Sequence, residues 1–273
     1  MLDRDSLDHF EKFGYLVLEN LVDESFASRV ISKINLLAWN LLEYHLLGRD
    51  CDVTITKDNA YKALAKLNRK IAGKIFDVIT KIPELNRYVY QEKFECIAQQ
   101  LMQSDNVLSP PTQMNLRTDH PSEESFLYPW HTDYSYNFSS RNSLVFWIPL
   151  TSVDLSIGSL HVIPGSHLID HRIKVNSEAL ILKRSSEYFE LDGIQELIHE
   201  LGETRCHLSF GQGLVFHSNL IHKSGINYSD QIRYTIQSRW FDASSNDAME
   251  NLYVGGIDQN NDPKIYLSSS LIT

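Results

Sequence analysis

His131-Thr132-Asp133, inside the stretch Tyr128-Pro-Trp-His131-Thr-Asp133-Tyr-Ser-Tyr136, has the residue types and spacing to do chemistry. Side chains two apart leave the same face of an extended strand. An imidazole and a carboxylate converging there supply two of the three ligands of a 2-His-1-carboxylate facial triad, which holds non-heme Fe(II) and leaves coordination positions open. The triplet alone has little specificity, since His9-Phe10-Glu11 nearly repeats it in the same chain. A metal site needs a second histidine carried back to the pair by another strand. His217 and His222 both lie in the right part of the chain, and residue types leave the two open.

The elements that must position these residues divide the chain by character. Its 273 residues suit one large domain, and the expectation is a single domain over 1–273. Up to about residue 105 the pattern is mainly helical. Asp5 or Ser6 is placed to cap a helix that Gly14 ends, and Tyr15 to Leu21 reads as a strand. Phe26, Val30, Ile34, Leu37 and Leu41 recur at helical spacing from Asp23 to about Leu47. A polar loop to Asn59 precedes helices predicted over 61–82 and 84–102, with Pro83 between them. Lys62, Lys66, Lys70 and Lys74 read as a solvated face, with Lys74 alone directed at a carboxylate.

From 106 to 242 the pattern is β. Thr112 to Arg117 alternates, putting Gln113, Asn115 and Arg117 on one face; 119–124 reads as loop, and the strand carrying His131 follows. Further strands are predicted over 142–148, 160–163, 204–210, 213–217 and 231–241. The pair 204–210 and 213–217 is expected to form a hairpin around Gly211-Gln212-Gly213. A polar insertion over about 168–203 carries a helix near 194–201, and a polar tail covers 243–273. Helices followed by short strands predict an α+β fold, a double-stranded β-helix (jelly-roll, cupin-like) core packed by N-terminal helices.

A net charge of −10 argues against a nucleic-acid surface. Cys51, Cys96 and Cys206 form no CxxC pair, so neither a zinc site nor a disulfide framework is suggested, and free thiols fit a reducing compartment. The opening residues lack the basic and apolar regions of a signal peptide, and no apolar run is long enough to span a bilayer. The expectation is a cytoplasmic protein acting on a small molecule, with no nucleic-acid or membrane partner.

Beyond the second candidate histidine the chain reads His222-Lys-Ser224-Gly225-Ile-Asn227-Tyr-Ser229 and reaches Arg233 eleven positions on. Upstream lie Gly158-Ser-Leu160-His-Val-Ile-Pro164-Gly165-Ser166-His167 and Phe13-Gly14-Tyr15-Leu-Val-Leu18. In this combination the chain resembles the phytanoyl-CoA dioxygenase family of Fe(II)/2-oxoglutarate oxygenases over nearly its whole length, most strongly from Tyr128 to Trp240. The resemblance implies His131, Asp133 and His222 as metal ligands, and Arg233 as the partner of the far carboxylate of 2-oxoglutarate. It further implies Ser224 as a hydroxyl partner of that carboxylate, Trp147 as an aromatic wall, Gln113 as a lining residue and Lys74 as a family lysine reached across a gap. Gln113 stands where some relatives carry Met, and Gln212 replaces an acidic residue common after the turn glycine. Fe(II), 2-oxoglutarate and O2 are the implied cofactor and cosubstrates. A planar Arg fork suits a buried carboxylate better than a Lys would.

The other polar residues carry plainer readings. His217 is expected to be a packed strand residue, and His161, His167 and His207 structural. Arg239 shares the face of Arg233, Thr235 and Gln237, so it either pairs with a surface carboxylate or reaches into the barrel. Tyr134, Tyr136 and Asn137 are read as substrate wall. A halogenating relative would carry Gly or Ala at Asp133, so hydroxylation or desaturation of an unactivated C–H bond, in a small metabolite or natural-product intermediate, is favoured. The alternatives are a non-catalytic jelly roll and a metal-binding jelly roll that does without 2-oxoglutarate.

Overall fold

Asp3, rather than Asp5 or Ser6, starts α1 (Arg4–Phe13), because its carboxylate accepts the Ser6 amide at 2.8 Å. Gly14 ends the helix at φ 78°, and a Cβ there would lie 2.4 Å from Nδ1 of His167. These features come from a computed structural model that describes residues 1–45, 55–110, 114–137, 140–181 and 187–250. α2 (Glu24–His45) follows, with Asp23 accepting from the Phe26 amide.

The long helix predicted over 61–82 is two, α3 (Ala60–Leu67) and α4 (Arg69–Ile79). Asn68 leaves helical geometry between them, and its side chain accepts from the Ile71 amide at 3.0 Å. The segment 84–102 is likewise two, α5 (Pro83–Val89) and α6 (Glu92–Met102). Pro83 stands at the first helical position, where a missing N–H is harmless.

The strands are β1 (Tyr15–Leu18), β2 (Val107–Leu108), β3 (Asn115–Asp119), β4 (Ser143–Pro149), β5 (Leu160–Val162), β6 (Ile173–Val175), β7 (Phe189–Leu191), β8 (Thr204–Cys206), β9 (Gly213–His217), β10 (His222–Lys223) and β11 (Arg233–Asp242). Among the described residues the larger sheet runs β1-β9-β4-β11-β2, with β3 also paired to β11. A second sheet runs β10-β5-β8, and every pairing is antiparallel. Both faces of β4 are buried. Leu144, Phe146 and Ile148 join Ile34, Leu64 and Phe94 of the helical layer, whereas Val145 and Trp147 meet Leu160, Val162 and Cys206 of the second sheet. Two facing sheets with helices outside one of them make the expected jelly roll.

The expected 204–217 hairpin does not form. β8 pairs with β5 in the smaller sheet, and β9 pairs with β1 and β4 in the larger. Gly211, at φ 89°, turns the chain from one sheet to the other and is tied down by the Leu21 amide. The insertion is more structured than its polarity suggested: β6 pairs with β7, and a helix occupies Ile194–Leu201 as expected. Of the tail, 251–273 lie outside the described residues. No described helix is long and apolar enough to cross a membrane.

Candidate metal centre

His131 is not in a strand. It forms an isolated antiparallel bridge with His222, each amide donating to the other's carbonyl at 2.9 Å. The small sheet thus gains one residue, enough to set the two imidazoles side by side with ring centroids 4.2 Å apart. Nδ1 of His131 lies 2.8 Å from the Pro129 carbonyl, and Nδ1 of His222 lies 2.9 Å from the Leu220 carbonyl. A carbonyl only accepts, so each Nδ1 carries the proton and each Nε2 presents a lone pair. Those Nε2 atoms lie 3.5 and 3.8 Å from Oδ1 of Asp133. One ligand atom from each of the three buried residues lies within 4.8 Å of the others.

Electrostatics suit a cation. Burial, helped by His131, pushes His222 down to about 3, so its imidazole is neutral. Burial alone would raise Asp133; the Arg239 guanidinium outweighs it and holds the carboxyl well below the usual range. Arg239 reaches inward, its Nε donating to Oδ2 of Asp133 at 2.9 Å while Oδ1 faces the histidines. Two imidazole nitrogens and one carboxylate oxygen, fixed from behind by carbonyls and a guanidinium, are the donor set Fe(II) takes with open positions.

A second cluster lies further along the inner face. Arg233 is 2% exposed and sits opposite Asp119 in register. Its Nη2 and Nε donate to Oδ2 of Asp119 at 2.9 and 3.3 Å, and Nη1 lies 3.5 Å from the carbonyls of Ile157 and Gly225. Arg117 donates from Nη2 to Oδ1 of the same carboxylate at 2.7 Å. Burial would raise Asp119, but the two guanidiniums hold it ionised, well below the usual range. One carboxylate against two buried cations leaves a positive charge that a further carboxylate would balance. Thr235 Oγ1 and Asn115 Oδ1, on the same inner face, are buried with no hydrogen-bond partner among the described residues. The charge and these unpaired atoms fit the far end of 2-oxoglutarate.

The structure brings His131, Asp133 and His222 together and sets the Trp147 ring 5.7 Å from the Arg233 guanidinium. Ser224 is half-buried, next to the Gly225 whose carbonyl touches Arg233. Lys74 lies on the solvent-facing side of α4, its side chain 73% exposed and paired with the Asp77 carboxylate at 3.1 Å. Gln113 lies outside the described residues. His217 is away from the cluster; its Nδ1 accepts from the Asn219 amide and its ring packs on His167. His161 pairs with Glu203, His167 braces the Glu11 carbonyl, and His9 packs on Phe13 and Tyr15. Tyr136 stands 5.7 Å from His131 and 4.8 Å from Phe189 of the insertion.

Sequence reasoning missed Asp119, read as the start of a loop, and the Arg239–Asp133 contact. The two-residue spacing of Arg117 and Asp119 was the available signal for the former.

A sequence model described as phytanoyl-CoA dioxygenase matches residues 10–235. The peroxisomal phytanoyl-CoA dioxygenase of Bos taurus is 26% identical over 244 residues, covering 86% of this chain and 67% of its own length. Among solved structures, EctD from S. alaskensis with 2-oxoglutarate and 5-hydroxyectoine aligns with a TM-score of 0.59 at 19% identity, over 89% of this chain and 77% of that one. EvdO2 from Micromonospora carbonacea var. aurantiaca, complexed with 2-oxoglutarate, aligns with a TM-score of 0.52 at 15% identity over 98% of both chains. These two show a common fold.

Proposed function

The chain belongs to the phytanoyl-CoA dioxygenase family, and from that membership we propose the reaction it performs and the residues that perform it. The protein is an Fe(II)- and 2-oxoglutarate-dependent dioxygenase with O2 as the other cosubstrate. Its reaction is hydroxylation of an unactivated C–H bond in a small metabolite or natural-product intermediate, with release of succinate and CO2. When bound, the iron supplies activation of O2 coupled to the oxidative decarboxylation of 2-oxoglutarate.

The chain's residues divide the remaining work. His131, Asp133 and His222 hold the metal, with Oδ2 of Asp133 tied to Arg239. Arg233, propped by Asp119, takes the far carboxylate, with Ser224 and Trp147 beside it. A carboxylate at position 133 keeps all three protein ligands, which supports oxygen insertion over halogenation. The stretch 1–273 works as a single domain, its helical part of about 1–105 bracing the 106–242 core. The reading places the protein in the cytoplasm, with a small molecule rather than nucleic acid or membrane as its partner.

The observation that carries this reading is the convergence of three buried ligand atoms within 4.8 Å, with both imidazole Nδ1 atoms tied to carbonyls. The test is anaerobic titration of the Fe(II)-loaded protein with 2-oxoglutarate, following the visible metal-to-ligand charge-transfer band. A saturable band is expected. Its absence from the wild type would remove 2-oxoglutarate from the account.

A further inference from the structure

We propose that Arg117 recognises an anionic group on the substrate, a carboxylate or a comparably flat monoanion. This rests on the oxygenase reading above. Arg117 lies on β3 opposite Thr235, on the inner face shared with Arg233 and Arg239. Its side chain is only 15% exposed. Nη2 is occupied, donating to Oδ1 of Asp119 at 2.7 Å and to the Phe126 carbonyl at 3.0 Å. Nε and Nη1 have no partner among the described residues. Neither nitrogen is among the fully buried unpaired atoms, so both remain reachable by a ligand.

Its position points to the substrate side. The guanidinium lies over the Tyr128 ring at 5.5 Å, and that ring lies 4.9 Å from His131. Arg117 is therefore one aromatic ring away from a metal ligand. Asp119 takes only Nη2 of Arg117, because Arg233 claims its other oxygen. A flat carboxylate matches the fork geometry of a guanidinium.

The experiment uses the full chain loaded anaerobically with Fe(II) and 2-oxoglutarate. The probes are benzoate and cyclohexanecarboxylate, each against its primary amide, with binding read by calorimetry and by perturbation of the charge-transfer band. The wild type should bind each acid at least about tenfold more tightly than its amide, Arg117→Met should lose that preference, and Arg117→Lys should keep a few-fold part of it. Fe(II) affinity should stay within about threefold of wild type in both variants, as expected of a group that touches no metal ligand, and 2-oxoglutarate is kept saturating for each protein because Arg117 shares Asp119 with Arg233. Should Arg117→Met fail to fold, the reduced preference in Arg117→Lys decides the matter. Two results overturn the proposal: no acid preference in the wild type, or a preference that survives in Arg117→Met because the acid sits on iron. A wild type with no charge-transfer band sinks the oxygenase reading itself, which neither of those results does.

Discussion

At the scale of single residues, the site depends on groups held from behind. His131→Ala, Asp133→Ala and His222→Ala should each abolish Fe(II) binding by equilibrium dialysis, whereas His217→Ala, remote from the cluster, should retain it. Arg239 occupies Oδ2 of Asp133 and so aims Oδ1 at the histidines. Arg239→Met should therefore weaken Fe(II) roughly 10-fold, since outer partners of ligands commonly carry that much. Unchanged metal affinity in that variant would make the contact incidental. At the other cluster, Arg233→Ala should raise the Kd for 2-oxoglutarate by roughly 30-fold or more, because losing one member of a buried charge pair costs on the order of 2–5 kcal/mol. Arg233→Lys should recover part of that loss, and Fe(II) affinity should hold in both.

At the scale of elements, β11 is the spine of the site. Its inner positions carry Arg233, Thr235, Gln237 and Arg239, while Tyr234, Ile236 and Trp240 pack into the helical layer. One strand thereby reaches both clusters, and its register with β3 sets Asp119 against Arg233. The loops opposite must come very close. Gly158, at φ 86°, would place a Cβ 2.8 Å from Nη1 of Arg233 and 2.5 Å from the Gly225 carbonyl. Gly158→Ala should therefore displace the guanidinium and weaken 2-oxoglutarate by about tenfold or more while leaving Fe(II) in place. Equal loss of both ligands would indicate a collapsed core instead.

At the scale of the whole molecule, buried histidines tie stability to pH. Burial, then the Arg69 charge, pushes His120 down to about 4, and burial with His167 pushes His217 down to about 3. Both are neutral in the fold, while an unfolded histidine titrates near 6.5. The unfolded chain thus binds more protons below that point, so this contribution is complete above about pH 6.5 and is lost as pH falls toward about 4. Each group should remove about 1.4 kcal/mol per pH unit across that window. Urea midpoints at falling pH should drop accordingly, and His120→Gln should flatten the slope. A midpoint indifferent to pH across the window would mean these rings are hydrated and free to protonate.

The spacing of His131 and Asp133, the helical and strand periodicities, and the run from His222 to Arg233 are local, and local geometry is written in the sequence at periods of 2 and 3.6. They carried the jelly-roll expectation, the family resemblance and most of the candidate site. What they could not carry depends on pairing between distant segments. Asp119 is a loop residue until β3 is laid against β11, and Arg239 has no preferred partner until Asp133 is folded beneath it. The same limit explains the hairpin that does not form. Gly211 signals a turn, but only the competition among β1, β4 and β5 for partners sends β8 and β9 into different sheets. Likewise Asn68 could sit in a helix or end one, and its capping contact with Ile71 decided for an end. Side-chain type and spacing determined what chemistry the chain could attempt. Strand register, a property of contacts far apart in sequence, decided which charges meet and where an open guanidinium remains.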